Sequence, residues 1–278
     1  MKLLDGINVV ITRPSAQAKT WEQQLNAHGA TTHLISLLEI VPIQQNEQIS
    51  AVKKCILNLD HFDKAIFVSQ NAVALGFDWI ENYWPQLPTK LKFFAVGETT
   101  ARQLEQRGAK VTDLAQSQIG AMTSETLLQS PSLQQVKSEN IVIFRGLGGR
   151  SHLGDTLNTR GANVSYCELY ERKLPIESTE QLKKLFGSTK KKWVIALHSG
   201  EALENLLQVL QIPLKENPAM YNLFSLLVPS QRLFELALNA GFKQVFTAKN
   251  ATDASMLEGL IDLKHKHYTD LQYNQTKV

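Results

Sequence analysis

Residues 144–150 read FRGLGGR and follow directly on an apolar run, NIVIF (140–144). A short strand that runs into Gly-X-Gly is the sequence form of a loop whose backbone N–H groups cradle an anion, and phosphate is the first candidate. The dinucleotide pattern G-x-G-x-x-G is incomplete here: Gly146 and Gly148 fit, but Ser151 stands in the third place. Glu168 is spaced as a ribose contact would be, yet it falls in a connector segment and not at the end of a second strand. Arg145 and Arg150 bracket the loop, and a guanidinium holds a carboxylate in a two-pronged grip that an ammonium does not match. The loop therefore suits carboxylates as well as phosphates.

Similar residues recur at the ends of other apolar runs. They are Thr12-Arg13-Pro14, Ser69-Gln70-Asn71, Gly97-Glu98-Thr99-Thr100, His198-Ser199-Gly200 and Pro229-Ser230. Ser, Thr or Gly ahead of a helix caps its N-terminus, which accounts for each of them singly. Together they surround a site with free backbone N–H groups and positive helix ends, which favours anions. His198 reads as a loop histidine open to solvent. No paired catalytic carboxylates stand at the strand ends, and no Walker loop, HExxH, GxSxG or Cys/His cluster occurs. The chemistry that remains needs shape, an anion cradle and one proton donor, and Tyr170 is the residue placed to donate it.

These residues must be carried by something. Apolar runs of four to six residues alternate with stretches of helical period: NVVIT (8–12), KAIFVS (64–69), KFFAVG (92–97), NIVIFR (140–145), KWVIALHS (192–199) and LFSLLVPS (223–230) each precede one. Single helices between strands imply doubly wound parallel sheets, an α/β fold. The second half echoes the first. Residues 6–42 align with 139–175, and 65–111 with 194–245, in order and in spacing. Two extended segments, LLEIVPI (37–43) and ELYERKLP (168–175), sit in equivalent places, and each closes on a proline that cannot continue a central strand. They predict a chain that crosses twice between domains, over connectors 39–42 and 171–174. One domain is then continuous, 43–170. The other is split, 1–38 plus 175–278, and the ligand site is the cleft between the two. The tail from about residue 264 is polar and is expected to fray.

Composition narrows the partners. A net charge of +3 over 278 residues is too weak a basic excess to argue for nucleic acid. No run approaches the length of a membrane span. The two cysteines, Cys55 and Cys167, lack metal or disulfide spacing and read as reduced thiols of a cytoplasmic protein.

The assembled motifs resemble the uroporphyrinogen-III synthase family. They are VVITRPSAQAKTWEQQLNAHGA followed by LLEIVP, then IFVSQNAV (66–73), AVGETTARQL (95–104), FRGLGGRSHLGDTLNTRGANVSYCELYERK (144–173) and ALHSGEAL (196–203). The resemblance spans essentially the whole chain. It implies two α/β domains on a two-stranded connector with the active site in the cleft. It also implies a small-molecule substrate, hydroxymethylbilane, a linear tetrapyrrole with eight carboxylate side chains. The family closes this chain to uroporphyrinogen III. The ring A hydroxymethyl group loses water, ring D attacks through its substituted carbon, and a spiro intermediate fragments and recloses with ring D inverted. No cofactor or metal is implied, and the chain is expected to be a monomer that receives the bilane from the enzyme that forms it. Carried over onto this sequence, the family's tyrosine is Tyr170, the catalytic candidate. The substrate-binding set is Thr12, Arg13, Ser69, Gly97, Thr100, Arg145, Gly146, Gly149, Arg150, Ser199 and Ser230. Where the family shows Gly-x-x-Thr in the last repeat, this chain reads Val228-Pro229-Ser230-Gln231, so Ser230 stands in for the threonine.

Two other functions fit parts of the pattern. A non-catalytic two-domain protein could close on a small anionic ligand, and a nucleotide-dependent enzyme could use FRGLGGR.

Overall fold

The structure is a computed structural model that describes residues 2–113, 124–188, 192–216 and 224–275. Its strands are β1 (Asn8–Ile11), β2 (Thr31–Leu34), β3 (Glu39–Pro42), β4 (Lys64–Phe67), β5 (Lys92–Ala95), β6 (Asn140–Gly146), β7 (Asn163–Lys173), β8 (Trp193–Ala196), β9 (Phe224–Val228) and β10 (Val245–Thr247). The chain divides into two compact units, Met1–Glu39 with Lys173–Val278, and Ile40–Arg172.

The first unit is built on a parallel sheet in the order β10-β9-β8-β1-β2. Every residue of β8 and β9 is buried, as strands covered on both faces must be. One face packs Val10, Ile195 and Leu226 against the Gly200–Glu216 and Gln231–Asn239 helices. The other packs Val9, Ile11 and Leu227 against Trp21 and Leu25 of the Ser15–Ala27 helix and Met256 and Leu260 of the Asp253–Gln275 helix.

The second unit carries the order β3-β7-β6-β4-β5, with β7, β6, β4 and β5 paired in parallel. Phe67 and Phe144 stack at its centre with ring centroids 4.3 Å apart. Phe77 of the Gln70–Tyr83 helix closes that face, and Ile66, Ile141 and Ile143 line the other with Leu153 and Leu157. The run β7-β6-β4-β5 has the same connectivity as β2-β1-β8-β9, which fits the repeat read in the sequence. Each sheet is α/β with helices on both faces, as expected.

The strand order reverses direction once in each sheet, between β1 and β8 in the first and between β6 and β4 in the second. Ligands of open α/β sheets bind at such switch points, beyond the strands' carboxyl ends. Thr12, Arg13, His198 and Ser199 flank one switch point, and Ser69 and the 145–150 loop flank the other.

Residues 168–173 are extended and complete an eleven-residue strand, so Glu168 lies in mid-strand. The Asp253–Gln275 helix runs past residue 264, and no glycine or proline follows Gly259 to stop it.

Candidate active site

Side chains alternate between the two faces of a strand, so the neighbours Arg145 and Gly146 belong to opposite faces of β6. Register across to β7 pairs Phe144 with Cys167 and Arg145 with Glu168, and then skips a residue to pair Gly146 with Tyr170. Leu169 is the extra residue of a β-bulge, which bends a strand and re-aims the side chain beyond it. In regular alternation Tyr170 would share a face with Tyr166 and Glu168. The bulge instead sends it to the face of Cys167 and Leu169, into the core with Phe67 and Phe144, and its exposure is 0%.

There the hydroxyl of Tyr170 lies 3.0 Å from Oγ of Ser69. Ser69 lies two residues beyond β4, is half-buried, and caps the Gln70–Tyr83 helix by accepting the Ala72 N–H at 3.1 Å. Gly146 is glycine because the ring of Tyr170 covers its α-carbon. The guanidinium of Arg172 sits 5.8 Å from the centroid of that ring.

On the opposite face Arg145 is buried beneath its own loop. It donates from Nε to the Gly146 carbonyl at 3.2 Å and from Nη1 to the Arg150 carbonyl at 3.3 Å. Its guanidinium stacks 4.7 Å from the Tyr166 ring centroid and 3.8 Å from a Glu168 oxygen. Gly149 leaves room for this guanidinium, and Gly154 leaves room for the Tyr166 hydroxyl. Arg145 thus shapes the loop from inside, while Arg150 at its end is exposed. Sequence reasoning gave both arginines to the site mouth. It also missed Tyr166 and Gly154, whose only signal was the Tyr-X-Glu alternation in β7.

In the first unit Thr12 is buried and donates its hydroxyl to the Ala196 carbonyl at 2.7 Å, tying β1 to β8 across the switch point. Arg13 pairs with Asp253, donates to the Ala251 carbonyl at 2.7 Å, and lies 6.0 Å from the Trp21 ring centroid. Its guanidinium therefore steadies the start of the last helix. Ser199 and Ser230 cap their helices by accepting from Ala202 N at 3.1 Å and Leu233 N at 3.4 Å. In the second unit Gly97, with φ of 93°, opens the Glu98–Gln106 helix, and Thr100 within that helix is buried.

His198 differs from the sequence expectation of an exposed loop residue. Its ring meets Trp21 edge-on with centroids 4.8 Å apart, and neither ring nitrogen has a hydrogen-bond partner among the described residues. Burial, with the nearby Arg13 charge adding to it, lowers its pKa to about 3; the Ala196 carbonyl pulls weakly the other way without meeting hydrogen-bond geometry. The ring is held neutral because β8 ends against Trp21 and not against water.

The family described as "Uroporphyrinogen-III synthase HemD" matches residues 19–258. A uroporphyrinogen-III synthase of Escherichia coli is 31% identical over 259 residues, 91% of this chain and all of that protein. One of Salmonella typhimurium is 30% identical over 256 residues, again 91% of this chain and all of its length. Among solved structures, a mutant uroporphyrinogen III synthase from Thermus thermophilus shares the fold with a TM-score of 0.64 at 17% identity, covering 94% of this chain and 99% of its own. A uroporphyrinogen-III synthetase from Helicobacter pylori gives 0.55 at 16% identity, covering 92% of this chain and 99% of its own.

Proposed function

This chain belongs to the uroporphyrinogen-III synthase family, and from that premise we propose that its second unit supplies the acid of the ring closure, with Tyr170 as the source of the proton. The activity is that of a cyclising lyase of tetrapyrrole biosynthesis. Hydroxymethylbilane loses the ring A hydroxyl as water, ring D attacks the resulting azafulvene through its substituted carbon, and the spiro intermediate fragments and recloses as uroporphyrinogen III.

Three demands follow from this chemistry. The hydroxyl must leave as water, which takes one proton. Ring D must be held so that spiro attack outruns simple closure to the type I isomer, which is a matter of orientation. The carboxylates of the bilane need donors, and these do not have to be catalytic. The observation that carries the reading is the Tyr170 hydroxyl, fixed beside Ser69 at the switch point of its sheet. Capped helix starts at Ser69, Ser199 and Ser230, the turn at Gly97 and the exposed Arg150 are the proposed carboxylate donors. Thr12, Arg13, Thr100, Arg145, Gly146 and Gly149 support them from behind. The chain acts as a monomer in the cytoplasm, taking its unstable bilane from the enzyme that makes it; two free thiols are in keeping with that compartment. Among the described residues no helix is long and apolar enough to cross a membrane.

The test is to supply freshly generated hydroxymethylbilane and separate the products by chromatography. Isomer III in excess over the buffer control is expected. A distribution equal to the control would end the proposal.

A further inference from the structure

Tyr170 presents a difficulty for direct protonation. Its side chain has no exposed surface, and the 3.0 Å contact of its hydroxyl is with Ser69 and not with solvent. Ser69, by contrast, is half-buried at the strand end. A hydroxyl oxygen has two lone pairs and one hydrogen. Ser69 Oγ spends one lone pair on the Ala72 N–H; either hydroxyl of the Ser69–Tyr170 contact can donate, and when Tyr170 donates, Ser69 accepts through its second lone pair. Its own hydrogen is then left to point away from both. In that arrangement the two hydroxyls form a chain from tyrosine to serine to whatever stands beyond the strand end.

We propose that Ser69 is a catalytic residue that hands the proton of Tyr170 to the departing hydroxyl. The idea rests on the reading of Tyr170 as the acid. As the C–O bond at ring A breaks, its electron pair leaves with oxygen, which takes the Ser69 proton. Ser69 takes the Tyr170 proton, so the serine oxygen ends neutral and water departs. The phenolate stands 5.8 Å from the Arg172 guanidinium, measured from the ring centroid. The N-terminus of the fourteen-residue Gln70–Tyr83 helix favours negative charge passing through the serine oxygen. After reclosure the substituted ring loses a proton to regain aromaticity, and the same chain carries it back: serine accepts it and returns a proton to the phenolate. The sum is loss of one water and an unchanged enzyme.

The experiment compares Tyr170→Phe, Ser69→Ala, Ser69→Thr, Ser69→Asn and the Tyr170→Phe/Ser69→Ala double variant, all in the full chain, with thermal melting beside the isomer assay. Ser69→Asn keeps a good helix cap without a relaying hydroxyl, so it separates folding from proton transfer. Expected are kcat losses of about 100-fold or more for Ser69→Ala, Ser69→Asn and Tyr170→Phe, with KM moved about twofold at most. The double variant should be no worse than the singles, because the two act as one unit. Ser69→Thr should restore most of the rate, and the solvent proton inventory of the wild type should curve, as two moving protons require. If Tyr170→Phe is slow while Ser69→Ala and Ser69→Asn stay within about threefold of wild type, tyrosine donates directly and the relay is wrong. If Tyr170→Phe is as fast as wild type, the acid assignment itself fails.

Discussion

The ring of Tyr170 lies on the α-carbon of Gly146, so that a methyl group there would stand 2.6 Å from its Cε2. The ring is fully buried in the core cluster that holds Phe67 and Phe144, so little room is left for it to shift. Gly146→Ala is expected to cost about 1–3 kcal/mol of stability by overpacking. It should also lower kcat by pulling the tyrosine hydroxyl off Ser69. Urea unfolding and the isomer assay read the two effects, and an alanine variant with wild-type turnover would show that the ring need not sit where it does.

Arg145 and Arg150 share a loop but not a task. Removing the Arg145 guanidinium strands the carbonyls of Gly146 and Arg150, so Arg145→Ala should lose about 2 kcal/mol of stability whatever the salt. Arg150 is exposed, so Arg150→Ala should leave the melting temperature alone and raise KM, by a factor that shrinks as sodium chloride is added. Equal KM values for Arg150→Ala and wild type at low salt would place Arg150 outside the site.

His198 makes the fold acid-sensitive. Its folded pKa of about 3 is below the ordinary 6.5, since protonation would put a charge in a buried place beside Arg13. The stability that the neutral ring contributes is complete above pH 6.5 and is lost as pH falls from there toward 3. Between pH 7 and pH 4.5 the wild type should therefore lose roughly 2 kcal/mol more than His198→Phe does, at ~1.4 kcal/mol per unit. Parallel urea titrations at the two pH values check this, and equal losses would show that the ring titrates normally.

NAD(P), ATP and nucleotide sugars should leave the melting temperature unchanged. Of the two glycines that fit the dinucleotide pattern, Gly148 is open but Gly146 is covered from within by Tyr170, and Ser151 stands in the third place. A saturable thermal shift with any of the three would reopen the nucleotide reading.

The alternation of strands and helices was legible in the sequence because buried parallel strands are short apolar runs and their helices keep a 3.6 period. The strand-end serines were legible as caps, and Ser69, Ser199 and Ser230 cap. What escaped is what depends on partners distant in sequence. Arg145 read as a guanidinium turned toward the ligand because nothing nearby in sequence says that its loop folds over it. His198 looked exposed because Trp21, which buries it, lies far away in the chain. Tyr170 was singled out for its position, but the skipped partner at Leu169 that turns it inward belongs to the pairing with β6, and pairing leaves no mark on one strand read alone.

That skipped partner makes the site a matter of parity. Were Leu169 to pair with Gly146 in unbroken register, no functional group would be lost, yet Tyr170 would follow regular alternation and face the side that Arg145 and Glu168 occupy. The tyrosine and serine would both survive in the sequence with the sheet between them. Comparisons that match the tyrosine by residue type alone would score such a chain as intact. The register across to β6 is the more discriminating test, because the residue paired with Gly146 decides whether the two hydroxyls meet.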